Sequence, residues 1–219
     1  MSFALIFKDE LTGFYKSKAM IFLWIGLPIL ALLIHISSQD ADMSLSIFVS
    51  LLVSSIGGLL ASVMLTVNII NEKDTRVYDL FLIRPLKRWH ILVSKFLAVY
   101  ICVSLACILA IVLGLMFDFY ESTIPFEIIL ENIFEPFIMT LSVIAISSAV
   151  GVLIGIVSPS IVVGVLIVIF GGNYVSSTPS IIPFVLDIEN PFTIVLILGV
   201  LITVALMSLS ILLFNKKEF

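Results

Sequence analysis

Charge is scarce in this sequence: Asp, Glu, Lys and Arg make up 12% of its 219 residues, about half the ~25% share of a soluble domain. So little charge cannot cover a water-facing surface, and a soluble globular enzyme is excluded. Cysteine and histidine are scarcer still, at two each. Cys102 and Cys107 lie inside one apolar run; they are too few for a disulfide framework and read as small core residues. A zinc site needs about three or four ligands, and neither His35 nor His90 has companions in the sequence, so His35 reads as a polar residue near a helix end. No GxxxxGK[ST] phosphate loop occurs. Within these residues the membrane spans leave no room for a nucleotide-binding domain of roughly 100–200 residues. Any ATP-driven work therefore belongs to a partner chain.

What is present is hydrophobic: 61% of the residues are apolar and the mean hydropathy is +1.29. A helix crossing the hydrocarbon takes about 20 apolar residues, so the length accommodates roughly six spans in one transmembrane domain, residues 1–219. Before the first run, residues 1–18 place Phe3, Phe7, Leu11 and Phe14 at helical spacing opposite Lys8, Asp9 and Lys16. That pattern predicts a helix lying in the membrane interface. Spans are predicted from Ala19 to about Ser37, from about Ser44 to Ile70, and from Phe96 to Phe117. The stretch from about Pro136 to Phe170 is too long for one helix and contains Ser158-Pro159-Ser160. Proline disfavours helical geometry in the residue before it, so a fourth span ends near Ile156 and a fifth starts near Pro159. The sixth runs from Phe192 to Phe214.

Lysine and arginine are enriched on cytoplasmic flanks. All eleven of them fall before the first span (Lys8, Lys16, Lys18), between the second and third (Lys73, Arg76, Arg84, Lys87, Arg88, Lys95) or after the sixth (Lys216, Lys217). The alternate loops carry none, and hold Asp40, Asp42, Asp118, Glu121, Glu127, Glu131, Glu135, Asp187 and Glu189. Both termini are therefore expected in the cytoplasm. Glu131 and Glu135 stand one helical turn apart before Pro136. They read either as a solvated helix end or as a pair able to meet a cation, since intramembrane ionisable residues are functional candidates.

Small residues mark close helix contacts. Ser46, Ser50, Ser54, Gly58 and Ser62 recur every fourth residue in the second span, and Gly151 with Gly155 forms a GxxxG in the fourth. The pattern reads first as packing within the chain, with a dimer seam as the alternative.

Two segments are not simple spans. The cytoplasmic loop 71–95 alternates charge with Val77, Leu80, Phe81 and Ile83 or Leu82 at a spacing that predicts a short amphipathic helix stopped at Pro85. Such a helix offers a docking face to a soluble partner, or anchors the chain on anionic lipid. In order, Glu72-Lys73-Asp74, Asp79, Phe81-Leu82, Pro85 and Arg88-Trp89 resemble the loop between the second and third spans of the ABC-type export permease family. Arg76 and Val77 replace its usual Gly and Thr. The fifth apolar run, about fourteen residues to Tyr174, would reach only ~21 Å of a ~30 Å core. Together with the proline-broken 171–191 and its closing Asn190-Pro191, this resembles the family's re-entrant outer segment.

That resemblance implies an all-α membrane protein with six transmembrane helices, an N-terminal interfacial helix, a cytoplasmic coupling helix between spans two and three, and a re-entrant segment between spans five and six. It implies a permease in the plasma membrane of a prokaryote, paired with itself or a sister permease and docked to ABC ATP-binding subunits that hold the ATP and magnesium. Glu72, Asp74, Arg76, Leu80, Phe81, Pro85 and Arg88 are then the expected contacts with the ATPase. Ser50, Ser54, Gly58, Gly151 and Gly155 are the expected packing or dimer residues. No catalytic, cofactor or metal residue is expected in this chain, nor a nucleic-acid partner. The uncharged faces of the second and fifth spans suit a hydrophobic or amphipathic cargo. Within the family a haem-exporter-like permease is the alternative. Outside it, the alternatives are a secondary carrier or channel, which usually shows paired repeats and intramembrane charges, and an intramembrane enzyme, which would need clustered His, Glu or Asp.

Overall fold

The computed structural model describes residues 3–37, 45–75, 88–121, 134–172, 174–176 and 191–216. Among the described residues every regular element is helical. They are α1 (Phe3–Tyr15), α2 (Lys18–Ser37), α3 (Leu45–Asp74), α4 (Arg88–Glu121), α5 (Phe134–Val157), α6 (Ile161–Ile167), which continues into a π-helical turn (Val168–Gly172), and α7 (Pro191–Lys216). Five of them, α2, α3, α4, α5 and α7, are long and apolar enough to cross a membrane. The chain is an all-α membrane protein.

The helix ends follow local chemistry. Ser17 turns α1 into α2, its hydroxyl accepting from the Met20 amide at 3.2 Å, as an N-cap oxygen does. At the other break α5 stops at Val157, and Ser160 in extended geometry caps α6, accepting from the Val163 amide at 3.4 Å. This interruption coincides with Ser158-Pro159-Ser160, where the sequence predicts it. The apolar helical stretch Ile161–Ser176 is shorter than the five long helices.

α3 is the central helix and packs most extensively against α5, then α4. The α3–α5 contact is close because glycine faces small side chains. A Cβ on Gly151 would lie 2.6 Å from the Ser62 main chain, and one on Gly58 would lie 2.6 Å from the Ser147 hydroxyl. Gly155 rests on Ile69 and Thr66, and the Thr66 hydroxyl donates to the Gly151 carbonyl at 2.9 Å. A hydroxyl reaching a neighbouring helix's carbonyl is one of the polar contacts that hold membrane helices together. Cys107 and Cys102 are free and buried, with the Cys107 sulfur against Gly57.

The bundle has two distinguishable ends. At one end α2 meets the far end of α4, where His35 stacks on Phe117 with ring centroids 4.1 Å apart. At the other end lie α1, the end of α3, the start of α4 and the α5–α6 break. α4 begins at Arg88, eight residues ahead of the predicted Phe96, so Lys95 lies inside a spanning helix rather than in a loop.

Candidate functional site

Lys95 is the most consequential side chain at this end. Its side chain is 1% exposed, and three elements converge on its ammonium. Glu10 of α1 accepts from Nζ at 2.7 Å, Glu72 of α3 at 2.5 Å, and the Asn68 amide oxygen of α3 at 2.9 Å. An ammonium has three donors, and here each has an acceptor.

The local sequence explains the arrangement. Asn68 and Glu72 are four residues apart and share a helix face. On α1, Glu10 falls midway between Ile6 and Phe14, the two buried apolar residues of that helix, so the face that docks on the bundle carries its carboxylate inward. Burial pushes the Glu10 carboxyl up from its ordinary value, aided by the nearby Glu72 and Asp9 charges and opposed by Lys95. The second Glu72 oxygen, Oε2, is buried with no hydrogen-bond partner. A buried ion pair contributes little net stability but is costly to break, because removing one partner strands a charge in low dielectric.

The next residue ties the same turn to the opposite side. Lys73 Nζ donates to the Ser158 carbonyl at 3.0 Å, capping a carbonyl at the α5–α6 break. Consecutive residues Glu72 and Lys73 thus link the last turn of α3 to α1 and α4 on one flank and to the α5–α6 break on the other. Thr75 closes the helix, with its amide and hydroxyl both on the Asn71 carbonyl. The segment 76–87 begins directly after it.

Of the residues expected to contact an ATPase, Glu72 is committed to Lys95 within the chain, and Asp74 is exposed one residue before the end of the described segment. Arg88 opens α4. Arg76, Leu80, Phe81 and Pro85, and with them the expected coupling helix, lie outside the described residues. Of the small residues, Gly58, Gly151 and Gly155 face the α3–α5 contact. Ser50 and Ser54 are buried, Ser54 donating to the Leu51 carbonyl of its own helix. Glu135 lies in the first turn of α5, where burial pushes its carboxyl up; Glu131 lies outside the described residues, as does most of 171–191. Among the described residues no three His, Cys, Asp or Glu side chains cluster as a metal site would require.

Sequence reasoning assigned Lys95 to a basic loop and gave Glu10 and Asn68 no role. The signals that point to them are a lone lysine followed by a long apolar run, and an acid at the apolar spacing of an amphipathic helix. Charge placed among apolar residues is paired or functional.

No protein-family model matches the chain, and no curated protein matches it.

Proposed function

We propose that the chain is the permease subunit of an ATP-driven transporter whose ATP-binding subunit docks on segment 76–87 and moves the bundle through the Lys95 junction. The observation that carries this reading is the position of the junction. Glu72 stands four residues before that segment and Lys95 eight residues after it; the two are paired with each other, and Lys95 is paired with Glu10 as well. A push on 76–87 then acts on the joined ends of α3 and α4, reaches α1 through Glu10, and reaches the α5–α6 break through Lys73. Such a set of packed helices and charge pairs can serve as a two-state element biased by a ligand. The sequence pattern from Glu72 to Trp89 supports the same reading.

On this proposal the short apolar helix Ile161–Ser176 is the fifth of six spans, 171–191 is the re-entrant outer segment, and the basic end of the bundle faces the cytoplasm of a prokaryote, with both termini there. The permease pairs with itself or with a sister chain and moves a hydrophobic or amphipathic cargo. The test is affinity purification of the tagged chain from its native membranes, with the eluate examined for a Walker-loop ATPase. Stable co-purification is expected, and it is lost in Leu80→Asp and in the charge reversal Asp74→Lys. Recovery of the permease without any ATPase, or association untouched by both substitutions, contradicts the proposal.

One observation favours a second reading. A buried lysine between two carboxylates is the kind of intramembrane charge that proton-coupled carriers use. Uptake or efflux that survives ATP depletion and collapses with a protonophore would assign the junction to that class instead.

A further inference from the structure

Beginning at Phe96, the residue after Lys95, α4 and α7 part over α5 to leave a groove of about 390 Å³, within the range of about 300–1,000 Å³ typical of small-molecule sites. Phe96 and Tyr100 of α4 and Leu141 and Ala145 of α5 line it, with Val200 and Val204 of α7 at its mouth. Among the described residues, none that lines it is charged. Its polar groups are the hydroxyls of Tyr100, Ser142 and Thr203, and that of Thr203 is engaged with the Gly199 carbonyl at 2.7 Å.

Depth and opening identify the occupant. Thr203 lies at the middle of α7, and every lining residue falls within the apolar spans Trp89–Phe117, Phe137–Val157 and Thr193–Lys216, so the groove lies along the hydrocarbon-spanning part of the bundle. Val200 and Val204 are 56% and 62% exposed, and the surface continues onto the exposed Ile197 and Leu201. The groove is therefore continuous with the lipid-facing side of a spanning helix, and its mouth opens onto acyl chains. A charged group at that depth is expensive, and the lining offers no countercharge. Hydrocarbon gains by filling it, because an unfilled apolar recess forfeits dispersion contacts on its open side.

We propose that this groove holds an acyl chain of a bilayer lipid, entering sideways between α4 and α7, which pack only lightly on each other, past Val200 and Val204. The chain is covered by α4 and α5 as well as α7, and so it stays longer than the annular lipid that touches α2 or the outer face of α7. The inference rests on the membrane-spanning helices and is independent of how transport is powered.

The experiment reconstitutes the full chain in nanodiscs of phosphatidylcholine carrying a photoactivatable diazirine in mid-chain, and maps adducts by peptide mass spectrometry. Adducts are expected to concentrate in 138–145 and 196–204, above the level on the exposed α2 face of Phe22, Ile25 and Ile29. Ala145→Phe and Val200→Phe fill the groove and are expected to lower its adducts roughly tenfold, the loss that forfeited burial of one or two methylenes implies, without changing α2 labelling. Because Val200 is more than half exposed, the second variant does not disturb the packed core. Equal labelling of groove and α2 faces, or labelling unaffected by both variants, overturns the proposal. So do disulfide-linked dimers of Val200→Cys that shield the groove from label, since a second copy would then be the cover.

Discussion

Lys73 on the last turn of α3 donates its ammonium proton to the main-chain carbonyl of Ser158, 3.0 Å away and 85 residues along the chain. That bond fastens the helix that leads into segment 76–87 to the one interruption between α5 and α6. Hydrogen bonds from charged donors contribute about 1.5–3 kcal/mol, with the lower end applying to this partly exposed lysine. Lys73→Met is expected to lower the unfolding midpoint in detergent by a few degrees, read by the fluorescence of Trp24 and Trp89, whereas Lys73→Arg retains most of the stability.

The Lys95 junction makes a sharper statement because it is buried. Lys95→Met strands two carboxylates and is expected to cost about 3–5 kcal/mol. Adding Glu10→Gln and Glu72→Gln removes the stranded charges and is expected to recover a large part of that loss. Chemical denaturation of the single and triple variants gives the interaction energy. Additive losses contradict the three-way pairing.

Glu10 supplies a pH dependence with a definite sign. Its carboxyl is held above the ordinary 4.5, chiefly by burial, so the folded chain keeps that proton to higher pH than the unfolded chain does. Its contribution to stability is therefore fully present below 4.5 and is lost as pH rises through the raised value. Glu10→Gln has no such proton. The stability of the wild type relative to Glu10→Gln is expected to be greatest at low pH and to decline as pH rises from 4.5 through the raised value; the opposite slope contradicts the assignment.

Two glycines separate close packing from helix propensity. At Gly151 an added Cβ meets the Ser62 main chain at 2.6 Å, and at Gly13 nothing lies within 4 Å. Gly151→Ala is expected to destabilise by about 1–3 kcal/mol through forced separation of α3 and α5. Gly13→Ala, in exposed α1, is expected to stabilise by about 0.5–1 kcal/mol. Thermal unfolding of both variants decides the point.

The long helices were legible because apolar runs and their proline and serine interruptions are local features. α2, α3, α5 and α7 begin and end within about four residues of their expected limits, and the break at Ser158–Ser160 coincides with the sequence signal. The start of α4 was not legible. Lys95 looks like a loop residue until Glu10, 85 positions earlier, is brought against it by the docking of α1. Only tertiary structure supplies that neutralisation. The π-helical turn Val168–Gly172 likewise carries no periodicity that distinguishes it from the helix it extends. Of the candidate site, the sequence marked Glu72 but with an outward role, and the inward pairing became visible only once α1, α3 and α4 were set together.

The central claim is that motion of segment 76–87 reaches α1 through Glu72, Lys95 and Glu10. Spin labels at the exposed Thr12 of α1 and the exposed Val157 at the end of α5, in the proposed complex with an ATP-binding subunit, test it without knowledge of the cargo. The account predicts that adding ATP and magnesium shifts the Thr12–Val157 distance distribution in the wild type and that the shift is smaller in the folded triple variant Glu10→Gln/Glu72→Gln/Lys95→Met, in which only the Lys73 route to Ser158 remains. An identical shift in both proteins, or none in the wild type, contradicts it.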